Sequence, residues 1–230
     1  MKKVLFLTAL LSLNVLFADV YATYEVKPVK EASLNLSSSG IVSVINTDIG
    51  NQVKKGDVLL SLNDIEEKAN LEISKSEYQF LLTQYERYSK SAEVFDKNTL
   101  DKLKSELKNA KDIVTLNEAK VSKMKIIAPF SGVISEKNIE IGDKSDNGDK
   151  ALLKLVSNDK KLLLSFDSKY TENVKIGDKF CLNSNNEDNK KCVEIFKVYP
   201  TLNDNKKLNA EAYGIDLKIG SFGDGSITNK

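Results

Sequence analysis

Cys181 and Cys192 are the residues best suited to covalent chemistry in this chain, and a polar stretch from Leu182 to Lys191 separates them. A redox-active pair wants closer spacing and a neighbour that lowers the thiol pKa, and the sequence offers neither. A structural disulfide needs an oxidising compartment and two strands brought side by side. Lys179-Phe180-Cys181-Leu182 and Lys191-Cys192-Val193-Glu194-Ile195 have the composition of such strands. We therefore read the pair as a staple across a hairpin, where it would contribute about 2 to 3 kcal/mol. The rest of the chemical inventory is defined by what is missing. With no His, the chain cannot hold a Ser-His-Asp or Cys-His couple, a His-ligated metal, or the side chain best placed for proton transfer near neutral pH. Two Met, one of them Met1, leave too few soft ligands to capture a metal cargo. No enzymatic activity, cofactor or metal is expected.

The elements that must position the cysteines begin with an export signal. Met1-Lys2-Lys3 is a short basic segment, Val4 to Phe17 is apolar, and Ala18 or Ala22 offers a small residue for cleavage. The apolar run is broken by Ser12 and Asn14 and falls short of the roughly 20 residues a membrane span requires. It reads as a secretory signal peptide over residues 1–18, with cleavage there or at 22, and no transmembrane anchor in the mature chain. Lys+Arg 34 against Asp+Glu 33 gives 34 − 33 = +1, without the basic excess that nucleic acid would demand.

An internal repeat dominates the remainder. Gly40 to Asn63 laid over Gly132 to Leu155 at a constant offset of 132 − 40 = 92 matches Gly40 with Gly132, Gly50 with Gly142, Gly56 with Gly148 and Asp57 with Asp149. Ser43, Asn46, Ile49 and Leu60 recur as Ser135, Asn138, Ile141 and Leu152, with no gap. Short β-type runs lie between the glycines, Ile41 to Ile45 and Val58 to Leu62 in one copy, Val133 to Ser135 and Ala151 to Leu153 in the other. Each copy is too small to bury a core alone, so the two must fold together. Between them the period changes. Leu103, Leu107, Ala110, Val114, Asn117, Val121 and Met124 alternate at steps of three and four, and Leu71, Ser74, Tyr78, Leu81, Tyr85 and Tyr88 do so less cleanly. Two antiparallel helices are predicted, with Asp64 and Glu67 as a capping box, a turn near Ser89 to Asn98, and arms reaching about 40 Å. The narrow seam and densely polar remaining faces favour a hairpin standing in water. After Val156, short strands at 162–166, 179–182, 192–198, 208–213 and 221–227 suggest a small antiparallel β-barrel, which Thr23 to Lys30 would join as an edge strand containing Pro28.

The expected organisation is a signal peptide over 1–18, a barrel edge strand over 23–32, a lipoyl-like half over 33–63, a hairpin over 64–125, the second lipoyl-like half over 126–157 and the barrel over 158–230. The fold class is mainly β with an α-helical hairpin: a split lipoyl-like sandwich carrying an inserted antiparallel coiled coil, plus a small barrel, in an elongated molecule. Val53-Lys54-Lys55-Gly56-Asp57-Val58-Leu59, then the hairpin, then Ala128-Pro129-Phe130-Ser131-Gly132-Val133-Ile134 with Ile141-Gly142-Asp143, resembles the periplasmic adaptor subunits, or membrane fusion proteins, of Gram-negative tripartite efflux pumps. Val174 to Asp178 looks like the turn opening that family's barrel, and Leu217 to Gly223 like its closing strand.

The resemblance implies a protein of the periplasm, held at the inner membrane through an efflux transporter. It also implies a homo-oligomer, a hexamer in that family, whose hairpin tips meet an outer-membrane channel protein. In that family the tip presents Arg, then Leu, then Ser. Arg87, the chain's single Arg, matches the first; Ser91 stands where Leu is expected and Asp96 where Ser is, or Asn98 in an ungapped alignment. A guanidinium makes forked hydrogen bonds to carbonyls or carboxylates at a helix end that Lys cannot reproduce. The implied function is a multidrug efflux adaptor, with an adaptor of type I protein secretion as the alternative. A lipoyl or biotinyl carrier would present a modified Lys at the turn joining the halves, where this chain has its hairpin.

Overall fold

The computed structural model describes residues 19–90, 97–145, 150–183 and 191–228. The expected signal peptide lies outside them, as do Ser91, Asp96, Gly148 and Asp149. In chain order the elements are β1 (Val20–Pro28), β2 (Glu31–Leu34), β3 (Gly40–Ile45), β4 (Gln52–Val53), β5 (Val58–Leu62), α1 (Ile65–Lys90), α2 (Lys97–Lys123), β6 (Lys125–Ile127), β7 (Gly132–Lys137), β8 (Lys144–Ser145), β9 (Leu153–Ser157), β10 (Lys160–Asp167), β11 (Lys179–Leu182), β12 (Cys192–Leu202), β13 (Lys207–Tyr213) and β14 (Phe222–Thr228). They form two units, one made of residues 30–158 and the other of the segments flanking it.

The first unit is a sandwich of two four-stranded sheets, β2-β9-β7-β4 and β6-β5-β3-β8. Each sheet takes its two central strands from one repeat copy, one edge from the other copy (β4 or β8) and its second edge from the residues just before that other copy (β2 or β6). Gln52 pairs with Val133 and Val53 with Gly132; Lys144 pairs with Ile41 and Ser145 with Gly40, the same contacts moved by 92 residues. Turns repeat the exchange. In Asp48-Ile49-Gly50-Asn51, Gly50 has φ +85°, and its N–H donates to Ile134 O at 2.8 Å while Ile134 N donates to Asn51 O at 3.1 Å. In Glu140-Ile141-Gly142-Asp143, Gly142 has φ +93°, and its N–H donates to Val42 O at 2.9 Å while Val42 N donates to Asp143 O at 2.9 Å. Val42 and Ile134 are themselves repeat equivalents. Neither copy can satisfy its own backbone without the other.

One detail of the repeat is corrected. Asn46 N donates to Leu59 O, whereas Asn138 N donates to Leu152 O, so the offset has become 93 by Leu152. A residue is inserted after Ser145, and the true equivalent of Leu60 is Leu153 rather than Leu152. Separately, β9 begins only at Leu153, later than the run expected over Ala151 to Leu153. Leu60, Leu62, Ile134, Leu153 and Leu155 are fully enclosed between the sheets, where each large apolar side chain is worth about 1.5 to 3 kcal/mol.

The second unit is a closed six-stranded barrel, β1-β10-β13-β12-β11-β14. Leu162, Leu164, Phe166, Phe180, Ile195 and Ile227 fill it. β1 is not an edge strand: it pairs with β10 on one side and β14 on the other. Pro28, its last residue, costs the ladder no interior donor. The Leu217 to Gly223 segment also differs from expectation. Lys218 to Ser221 form a turn, with Ser221 N donating to Lys218 O at 3.0 Å, and the closing strand starts only at Phe222.

Candidate functional site

Leu62 N donates to Met124 O at 2.9 Å, so the chain leaves the sandwich and returns to it at adjacent points, and everything between is the hairpin. At 1.5 Å per residue, the 26 residues of α1 and 27 of α2 give arms of about 40 Å. The side chains buried along them are Leu71 and Ser74 on α1, and Leu103, Ala110 and Asn117 on α2. All five belong to the seam read from the sequence. Its polar members are satisfied locally: Ser74 Oγ donates to Leu71 O at 2.8 Å, and Asn117 Nδ2 donates to Asn70 O at 3.3 Å. The other faces are exposed apart from half-buried flanks.

Asp64, expected to open α1 as a capping box with Glu67, is enclosed and held by lysines. Lys68 Nζ lies 2.9 Å from one carboxylate oxygen and Lys125 Nζ 3.9 Å from the other. Lys68 belongs to the first turn of α1 and Lys125 begins β6, so this carboxylate ties the hairpin's entry to its exit.

Arg87 sits in the last turn of α1 and is exposed. Its charge there complements the negative end of the helix dipole, and its guanidinium is available to a partner. Ser91 and Asp96 lie outside the described residues, and Asn98, the alternative to Asp96, is exposed in the first turn of α2. Cys181 and Cys192 are directly paired across β11 and β12 and joined by a disulfide, with Cα atoms 4.0 Å apart. Among the described residues no cluster of three or more His, Cys, Asp or Glu side chains could hold a metal ion. No helix among them is long and apolar enough to cross a membrane.

Two features were not visible in the sequence. The first is a turn of the form x-x-Gly-Asp whose Asp side chain caps its own turn: Lys54 N donates to Asp57 Oδ2 at 2.8 Å, Glu140 N to Asp143 Oδ2 at 2.8 Å and Lys175 N to Asp178 Oδ2 at 2.7 Å. Glycine at the third position supplies the positive φ. The Val174 to Asp178 stretch is therefore a turn of the same construction as those of the sandwich. The second is a carboxylate on the barrel. Glu211 is 4% exposed, and its Oε1 accepts from Lys161 Nζ and from Tyr199 OH, each at 2.6 Å. Burial pushes its pKa up, but the bonds from Lys161 and Tyr199 and the charges of Lys161 and Lys197 outweigh this and hold it below the ordinary carboxylate range. The hydrogen bond to Glu211 raises the Tyr199 pKa in turn.

A CzcB-like, barrel-sandwich hybrid domain model matches residues 30–155, more than half of the chain. An uncharacterized protein of Haemophilus influenzae is 29% identical over 119 residues, which are 51% of this chain and 31% of that protein. The chain thus spans less than a third of the curated relative it matches. Among solved structures, a MacA-MexA chimera containing the Pseudomonas aeruginosa MexA α-hairpin domain superposes with a TM-score of 0.78 at 18% identity, covering 92% of this chain and 81% of that one. The membrane fusion protein Spr0693 from Streptococcus pneumoniae R6 superposes at 0.68 and 16% identity, covering 92% and 99%. MacA from Actinobacillus actinomycetemcomitans does so at 0.61 and 17%, covering 92% and 79%. These likenesses establish a shared fold.

Proposed function

The chain belongs to the family of CzcB-like barrel-sandwich hybrid domain proteins, and from that premise we propose that it is a periplasmic adaptor joining an inner-membrane transporter to an outer-membrane channel. The observation that carries this reading is the clasp of the two repeat copies around the base of a 26- and 27-residue helical pair. A base whose edges are exchanged in both directions resists the leverage of a long arm, and a thin, mostly polar seam leaves that arm stable in water. Such a part transmits position rather than performing chemistry. A disulfide across the barrel is in keeping with an oxidising compartment.

In this reading the distal end of the hairpin meets the channel, with Arg87 making forked hydrogen bonds to carbonyls or carboxylates at the ends of the channel's helices. Ser91 and Asp96 complete the contact. Several copies act together, and the transporter selects the exported compound.

A photo-crosslinking side chain placed in cells at Arg87, Ser91 or Asp96, followed by mass identification of the adduct, tests this. An outer-membrane channel protein is the expected product, together with greater sensitivity to dyes or bile salts when Arg87→Glu replaces the native chain. Adducts only to periplasmic soluble proteins, with unchanged export in a strain lacking the gene and any redundant pump, would remove the bridging role. Loss of an exported protein with normal drug resistance would move the assignment to type I secretion.

A further inference from the structure

The outer face of the barrel carries a locked cluster of uncharged polar side chains beside an exposed aromatic ring. Ala22, Val26, Leu162, Leu164, Leu208 and Ala210 belong to the barrel core. The residues that alternate with them, Thr23 and Glu25 on β1, Leu163 and Ser165 on β10 and Asn209 on β13, therefore point outward. Register lines them up. Thr23 stands opposite Ser165 and Ser165 opposite Asn209, while Glu25 stands opposite Leu163 on one side and Phe222 on the other. With Asn203, from the turn between β12 and β13, they line a cavity of about 380 Å³, within the size range of small-molecule sites.

The polar groups are fixed before any ligand arrives. Asn203 Oδ1 accepts from Asn205 N and Lys207 N, each at 3.0 Å, and its Nδ2 donates to Asn209 Oδ1 at 3.0 Å and to Ser165 Oγ at 3.5 Å. Thr23 Oγ1 donates to Ser165 O at 3.4 Å. These bonds leave the Asn209 Nδ2 hydrogens, the Ser165 hydroxyl hydrogen and one oxygen of Glu25 unspent. Glu25 is the one charged residue among those lining the cavity, and Lys27 Nζ, 3.1 Å from its Oε2, offsets it. Phe222 is 85% exposed, more than any other large apolar side chain described, so any apolar face that covers its ring gains by doing so.

We propose that this cavity binds an uncharged oligosaccharide, one sugar ring laying its C–H face on Phe222 and the next offering its hydroxyls to Glu25, Ser165 and Asn209. Phe222 and Asn209 lie on strands three spacings apart in the order β14-β1-β10-β13, about 14 Å along the sheet, which is room for more than one ring. A sugar hydroxyl both donates and accepts, as a cluster mixing unspent donors with a carboxylate requires. Other chemistries fit less well. An anion needs an unpaired cation, and the cavity is lined by none. A peptide adding as a strand needs an open sheet edge, and β14, β1, β10 and β13 are each paired on both sides. A wholly apolar compound would strip the amide and hydroxyl groups of water and give them no partner. The site needs only the barrel and does not rest on the adaptor reading.

The test uses the exported chain with its disulfide intact and two neutral probes, maltotriose and the N-acetylglucosamine trimer, each at millimolar concentration. Saturation-transfer NMR is expected to show protein contact at the ring C–H protons of at least one probe; the acetylated trimer alone would mean that the acetamido group is read, and both would mean that the ring suffices. Phe222→Ala and Asn209→Ala each weaken the binding about fivefold to tenfold, Phe222→Tyr preserves it, and Tyr213→Ala, at another exposed aromatic of the barrel, leaves it unchanged. Absence of contact with both probes would overturn the proposal. So would binding that survives Phe222→Ala and Asn209→Ala in folded protein, or that falls equally with Tyr213→Ala.

Discussion

The sandwich and the barrel both close with chain delivered from far away in sequence, but they secure the closure differently. In the sandwich every closing contact is made twice: β4 edges one sheet as β8 edges the other, and the Gly50 turn holds Ile134 as the Gly142 turn holds Val42. In the barrel each closing contact is made once. β1 is inserted between β10 and β14, and the unit is reinforced by a cross-strand disulfide and an enclosed Glu211–Lys161 pair. Duplication offers stability without special chemistry, whereas a single closure leans on particular residues. The unit built by duplication is also the one that carries the hairpin, where the load of a long arm falls.

The largest expected effect breaks the symmetry of the sandwich. A Cβ added at Gly132 would lie 2.1 Å from Val156 O, a backbone atom of the neighbouring strand, whereas at the equivalent Gly40 it would lie 3.1 Å from Leu62 Cδ1, the end of a side chain. Gly132→Ala should therefore cost about 3 kcal/mol or more, and Gly40→Ala about 1 kcal/mol, because only the second neighbour can give way. Urea denaturation of the two variants decides it; equal losses would show that the copies are mechanically equivalent. Next in size, replacing both Cys181 and Cys192 with Ser should lower the stability of the barrel by about 2 to 3 kcal/mol. Hydrogen exchange should register the loss in β11 and β12 and leave β7 and β9 unchanged. Equal acceleration in both units would contradict the local character of the staple.

Glu211 supplies a pH test confined to the barrel. Its folded pKa is held below the unfolded value, so its contribution is present above the unfolded pKa of about 4.3 and is lost as pH falls through the folded value. The charged and hydrogen-bonding groups facing it are Lys161, Lys197 and Tyr199. Glu211→Gln should cost about 1 to 2 kcal/mol at pH 7 and flatten the decline of barrel stability below about pH 4. Thermal unfolding followed from pH 3 to 7 gives the comparison, and an unchanged acid limb would remove Glu211 from the account.

Periodicity made much of this architecture legible. β5 and β11 coincide with the runs read from the sequence, and every buried hairpin residue lies on the seam that steps of three and four define. What escaped depends on distant pairing. The insertion after Ser145 was hidden because Leu152 and Leu153 are the same residue type, so either could stand opposite Leu60; only the hydrogen bond from Asn138 decides between them. Pro28 made β1 look like an edge because a missing donor is harmless there, and it is equally harmless at a strand's last residue. Glu211 reads as an ordinary outward residue of an alternating strand, and nothing local reveals that Lys161 and Tyr199 enclose it. Arg87 stands out in the sequence as the chain's single Arg, and the structure places it exposed in the last turn of α1.

The smallest effect compares one device in two settings. Asp57 and Asp178 each accept a hydrogen bond from the residue three positions earlier, Lys54 N at 2.8 Å and Lys175 N at 2.7 Å. In both turns the glycine N–H reaches out to a neighbouring strand, Gly56 to Ala128 O and Gly177 to Ile195 O, each at 2.9 Å. Asp57 is exposed, while Asp178 is 6% exposed. On losing the carboxylate, the Lys54 amide can turn to water, so Asp57→Ala should cost about 0.5 kcal/mol. Lys175 is exposed too, but its bond ends on the enclosed Asp178 carboxylate, which is shielded from competing water, and Asp178→Ala should cost about 1 kcal/mol or somewhat more. Identical costs would mean that the barrel's turn is as well hydrated as the sandwich's. A difference in the stated direction would mean that one motif is worth more where closure happens once than where it is duplicated.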